Sequence, residues 1–209
     1  VSSFQKRQIS VLLNNGAGLL GAAVGYTVPS DVQFVYPYGI TAADYDADGL
    51  DEVVVVSGAY GINTVLSIFD NLGKGKLSLS KTIRGDKLDD SRSTWVTSLD
   101  LNGDNYIDIA ATMGRDKITF LYNDGKGNFA LDPQAFPNND MNCAVVVSND
   151  YDGDGDEDLF VGSRSVPFHY GSNPTSYLYN NDGQGHFTDI TGQVNTGLST
   201  IGMVTGAEW

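Results

Sequence analysis

The sequence predicts an all-β fold of propeller blades, each built from four antiparallel strands. Two observations carry that prediction. An aspartate-rich loop recurs three times, and an Asn-x-Gly-x-Gly turn recurs four times in alternation with it. The spacing between copies supplies the period. The loops begin at Asp44, Asp100 and Asp150, which are 56 and 50 residues apart. The turns begin at Asn14, Asn71, Asn123 and Asn181, which are 57, 52 and 58 residues apart. Two unrelated motifs sharing one period mark a repeat architecture.

The strands follow from what lies between the motifs. Each acidic loop runs into an apolar, β-branched stretch: 53–56, 109–112 and 159–161. A short strand is expected before each loop, over 39–43, 95–99 and 144–148. A third is expected before each Asn-Gly turn, over 64–69, 118–122 and 176–179, and a fourth after it, such as 78–83. Asn-Gly and Asp-Gly steps between short apolar runs are hairpin signals, because their turns need positive φ. No helical period of useful length is present. Four strands per 50 to 60 residues fits a blade, whose two faces are covered only when blades stack. A β-helix is the structural alternative, though its repeats are usually shorter. The division expected is a partial blade over 1–30, blades over 31–86, 87–137 and 138–196, and the start of another over 197–209. The segment Gly202 to Trp209 resembles a first strand leading into an acidic loop. An open arc of a longer propeller is therefore the expected arrangement.

Composition narrows the function. The chain has 209 residues and a net charge of −14, which disfavours nucleic acid as a partner. No apolar run approaches the ~18 residues of a membrane span. Of the 26 acids only Glu52, Glu157 and Glu208 are glutamate. Aspartate on that scale indicates loop positions to fill, since Asp is a poor helix former and a good metal-loop residue. The single cysteine, Cys143, sits among Ala144, Val145 and Val146 and reads as a buried strand residue.

The acidic loops have the spacing of calcium sites. Calcium takes six to eight oxygens at ~2.3–2.6 Å, and acids at alternate positions can wrap one ion. In loop 1 the expected ligands are Asp44, Asp46, Asp48, the carbonyl of Leu50, and Glu52. Loop 2 supplies Asp100, Asn102, Asp104, the carbonyl of Tyr106, and Asp108. Loop 3 supplies Asp150, Asp152, Asp154, the carbonyl of Asp156, and Asp158. Position six should be left-handed, as Gly49, Asn105 and Gly155 suit. The competing interpretation is an acidic turn without metal. Three copies at matching positions weigh against it, because clustered carboxylates repel without a cation. Three calcium ions are expected, with loop 2 the weakest by charge.

These loops and turns resemble the VCBS and FG-GAP class of repeats, which also form the calcium-loaded propeller of integrin α chains. The segment from Gly162 to Thr191, GSRSVPFHYGSNPTSYLYNNDGQGHFTDIT, is especially similar to bacterial VCBS repeat proteins and to relatives of cartilage acidic protein. The resemblance implies a propeller of about seven blades with calcium between the first two strands of a blade. Asn102, Asn105 and Glu52 depart from the pattern.

No nucleophile–base constellation is visible. His186 fills a variable turn position shared with Leu19, Lys76 and Asn128, and His169 lies in an insertion. Arg84-Gly85-Asp86 spells an adhesion tripeptide of a kind that arises by chance. The expected function is a non-catalytic, calcium-binding adhesion or binding scaffold, extracellular or at a cell surface; a bacterial surface protein fits the single cysteine, as a cytosolic one also would. Its expected partner is a surface protein or a glycan. The alternative is a propeller appended to a carbohydrate-active or other secreted enzyme. The insertion from Gly162 to Ser176, holding Arg164, Pro167, Phe168, His169, Tyr170 and Pro174, is the expected recognition segment.

Overall fold

The computed structural model describes residues 2–3, 7–29, 36–58, 63–87, 95–112, 118–132, 136–137, 142–166, 169 and 171–209. Fifteen strands form four antiparallel sheets among these residues. Blade 1 holds β1 (Ser2–Ser3), β2 (Gln8–Val11) and β3 (Val24–Thr27). Blade 2 holds β4 (Tyr36–Ala43), β5 (Glu52–Gly58), β6 (Asn63–Asn71) and β7 (Leu77–Lys87). Blade 3 holds β8 (Val96–Leu99), β9 (Asp108–Thr112), β10 (Ile118–Asn123) and β11 (Phe129–Asp132). Blade 4 holds β12 (Asn142–Asn149), β13 (Asp158–Ser165), β14 (Tyr177–Asn181) and β15 (Phe187–Asp189). In every sheet the strands pair in chain order. Each acidic loop joins the first two strands of blades 2, 3 and 4, and each Asn-Gly turn joins the last two strands of its blade.

The apolar runs of the second strands of blades 2 and 3 have a simple cause: both faces of these two blades pack against neighbours. On β5, Val54 and Val56 pack with Val96, Ile109 and Ala111 of blade 3. Val55 points the other way, to Ile9 and Val28 of blade 1. Blade 3 is sandwiched likewise. Its Ile109 and Leu121 face blade 2, while Ala110 and Phe120 face Leu159, Val161, Tyr179 and Phe187 of blade 4. A period of two along a strand thus feeds two cores rather than one core and solvent. The cores lie between blades, so no blade completes its own.

The first strands also meet across blades: Thr41 Oγ1 on β4 lies 2.8 Å from Ser98 Oγ on β8. Gly39 has no room for a side chain, because a Cβ there would meet Val56 and the backbone of Val96. Cys143 is buried, as its neighbours suggest. Arg84-Gly85-Asp86 lies within strand β7.

Two features depart from the sequence expectation. A four-residue helix, α1 (Thr191–Val194), and a 3-10 turn over Leu198–Thr200 follow β15. Residues 202–209 form no strand, although Val204 N donates to Ser163 O at 2.9 Å. Within the insertion, β13 runs on to Ser165, Val166 and His169 form an isolated bridge, and Pro174 is buried. Pro167, Phe168 and Tyr170 lie outside the described residues.

Candidate metal centres

The three acidic loops share one backbone design. Position one holds the loop with its carboxylate: Asp44 Oδ2 accepts from Gly49 N at 3.0 Å, Asp100 Oδ2 from Asn105 N at 2.8 Å, and Asp150 Oδ2 from Gly155 N at 3.1 Å. Position five accepts from position seven: Leu50 N to Asp48, Tyr106 N to Asp104, and Asp156 N to Asp154. Position six is left-handed in all three, with φ of +89° at Gly49, +68° at Asn105 and +101° at Gly155. Position four is left-handed too, at Ala47, Gly103 and Gly153. Glycine or asparagine marks position six in the sequence, while Ala47 leaves position four of loop 1 unmarked.

These bonds turn carboxylate oxygens inward. In loop 1 one oxygen from each of Asp44, Asp46 and Asp48 lies within 4.8 Å of the others. In loop 3 the same holds for Asp150, Asp152 and Asp158. Two oxygens on opposite sides of one calcium ion at ~2.4 Å would be about 4.8 Å apart, so both clusters fit a single hard cation. The donor set is all oxygen, which also suits calcium. In loop 3, Asp154 stands outside the cluster, and in loop 1 Glu52 does.

Loop 2 is arranged differently. Asn102 Nδ2 donates to Asp104 Oδ2 at 3.1 Å, and Asn102 Oδ1 accepts from Asp104 N at 3.2 Å. The amide thus ties down a carboxylate that an aspartate at that position would repel. The side chains at position seven, whose carbonyls were expected as ligands, lean on the first glycine of their own blade's turn. Leu50 approaches Gly73, Tyr106 covers Gly125 and Asp156 covers Gly183, where any Cβ would collide with the last two.

Position nine has a role the sequence did not show. Glu52, Asp108 and Asp158 are buried, and each carboxylate accepts the N–H of position two of its loop. Asp108 Oδ1 also accepts from Asn123 N at 2.7 Å, and Asp158 Oδ1 from Asn181 N at 2.9 Å. Burial pushes Asp108 up to about 6, with Asp104 and Asp100 adding to it and the two backbone bonds opposing it. Glu52 is raised for the same first reason, burial, with Asp46 and Asp48 contributing. A cation in loop 1 would lower Glu52, and one in loop 2 would lower Asp108.

The turn asparagines complete the site. Their Oδ1 atoms accept from the glycine two residues on, the local turn the motif predicts: Asn14 with Gly16, Asn71 with Gly73, Asn123 with Gly125, Asn181 with Gly183. Their Nδ2 groups reach much further. Asn123 donates to Ile107 O of its own loop at 3.0 Å and to Tyr45 O of the preceding blade's loop at 2.8 Å. Asn181 repeats this with Glu157 O at 3.2 Å and Leu101 O at 3.1 Å. Asn180 Nδ2 also touches Asp152 Oδ2 at 2.9 Å, inside the loop 3 cluster.

The sequence profile of FG-GAP-like repeats matches residues 44–111 and again 100–161. Together these windows cover more than half of the chain. The chain belongs to the FG-GAP-like repeat family. The first FG-GAP-like window holds loops 1 and 2, and the second holds loops 2 and 3, so the repeat unit runs from loop to loop. Among solved structures, the chain is similar to a mutant Tc holotoxin pore of Photorhabdus luminescens, at 15% identity and a TM-score of 0.35 over 87% of this chain. It spans about a tenth of that chain, 10%. No curated protein matches the sequence.

His186 Nδ1 lies 3.0 Å from Asp182 Oδ2, and Asn128 Nδ2 holds Asp124 Oδ2 in the equivalent place. His186 is therefore a turn residue. Among the described residues, no helix is long and apolar enough to cross a membrane.

Proposed function

We propose that this FG-GAP-like chain is a calcium-stiffened, non-catalytic scaffold that presents a binding surface outside the cell. The observation that carries the reading is the convergence of three carboxylates in loop 1 and three in loop 3, each set within 4.8 Å. Clusters of that size, without a calcium ion, hold like charges at close range; with one, they become the fixed ends of strands β5 and β13. Loop 2 takes the third ion, more weakly, through Asp100, Asn102 and Asp104. The expected partner is a surface protein or a glycan met by the loops of one propeller face.

The test of the calcium reading is direct. Modules of this kind bind at ~10⁻⁴ to 10⁻³ M, and at ten times Kd each site adds ~1.4 kcal/mol by mass action. Isothermal titration of metal-free protein should give two strong sites and one weak site. Absence of heat and of any melting shift at millimolar calcium would refute it. A glycan array and a pull-down on surface proteins, each with and without calcium, test the binding role; retention only with calcium supports it.

A further inference from the structure

The bonds described above join into one continuous chain across three blades. Glu52 accepts from Tyr45 N, and Tyr45 O accepts from Asn123 Nδ2. Asn123 N donates to Asp108, which also accepts from Leu101 N. Leu101 O accepts from Asn181 Nδ2, Asn181 N donates to Asp158, and Asp158 accepts from Tyr151 N. The order repeats without a break: position-nine acid, position-two peptide, turn asparagine of the next blade. Glu52, Tyr45, Asn123, Asp108, Leu101, Asn181 and Asp158 are all buried. A buried, connected polar network is stiff, because each partner it lost would be left poorly paired.

We propose that this relay couples the acidic loops, so that a cation held in loop 1 raises the affinity of loop 3, with Asn123 and Asn181 as the positioning residues that transmit the effect. The inference rests on the calcium reading above. One end of the relay is Glu52, which holds the Tyr45 N–H at position two of loop 1. The other end is Asp158, whose carboxylate belongs to the loop 3 cluster. A cation in loop 1 fixes the peptide at Tyr45, which aims its carbonyl at Asn123. Asn123 then fixes Asp108 and the Leu101 peptide, and Asn181 does the same for Asp158. The ordering of loop 3 is partly complete before its own ion arrives, which is positive coupling between distinct sites.

The experiment uses the full chain, freed of metal, with calcium affinities read site by site from the amide signals of Gly49 and Gly155. Asp46→Asn disables loop 1 while keeping the bond to Asp48 N. Loop 3 affinity should fall about five-fold, the low end of usual coupling. In an Asn123→Ala background, Asp46→Asn should leave loop 3 affinity unchanged, because the relay is already cut. A merely structural Asn123 would weaken loop 3 yet leave the effect of Asp46→Asn intact, and that result overturns the proposal. So does an unchanged loop 3 affinity in Asp46→Asn alone. Should Asn123→Ala not fold, Asn181→Ala cuts the relay one blade further on and must give the same result. Absence of calcium binding by the native chain would be a different outcome, overturning the calcium reading itself.

Discussion

Replacing Asn123 by alanine removes three hydrogen bonds from a buried place. Asn123 Nδ2 loses Tyr45 O and Ile107 O, and Gly125 N loses Asn123 Oδ1. Tyr45 O keeps one partner, Gly127 N at 3.1 Å. At a net ~1 kcal/mol per bond, the loss is about 3 kcal/mol. For a domain of this size roughly 2–4 °C of melting temperature goes with each kcal/mol, so the midpoint should fall by roughly 6–12 °C. Urea melts of metal-free protein give the free energy without the calcium term. The control is Asp124→Ala at the next position. Asp124 makes bonds to Lys126 N, Asn128 N and Asn128 Nδ2, but it is exposed, and water replaces them at a cost of about 1 kcal/mol or less. Equal losses for the two variants would refute the inter-blade clasp.

Further outcomes follow from the same geometry. Ala47 sits at φ +61° where loops 2 and 3 carry glycine, so Ala47→Gly should stabilise the chain by roughly 0.5–1 kcal/mol in a denaturant melt. Gly125→Ala drives a methyl group into the Tyr106 ring at a positive φ, and a loss of about 1–3 kcal/mol is expected, partly recovered by Tyr106→Ala in the same chain. In metal-free protein Asp108 should titrate near pH 6, followed by carboxyl NMR. Its native value lies above the usual 3.8, so its ionisation weakens the fold as pH rises through that window, and calcium should draw the titration downward.

Much of this was legible in the chain. The runs 53–56 and 109–112 announced second strands because burial on both faces leaves no polar alternation, and 159–161 shares their apolar character. Asn105 announced a left-handed position, and its φ of +68° agrees. Ala47 announced nothing, since alanine is not a turn residue and only the loop's hydrogen bonds force it there. Helix α1 was invisible because four residues cannot display a 3.6-residue period. The clasp was hidden for another reason. Asn123 has a complete local explanation in the turn to Gly125, while its decisive partner, Tyr45 O, lies 78 residues away. Position nine was legible in part: Asp158 joins the loop 3 cluster as its spacing suggests, while spacing alone does not reveal the backbone N–H groups that also hold Glu52, Asp108 and Asp158.

The most direct measurement is the melting temperature of the purified chain with millimolar calcium and with excess chelator, alongside metal analysis of the dialysed protein. Two strong sites at ten times Kd give about 3 kcal/mol, which corresponds to a midpoint roughly 6–12 °C lower in chelator. Asp44→Ala should abolish one bound ion and about half of that difference. A midpoint unmoved by chelator, with no calcium in the protein, would contradict the account.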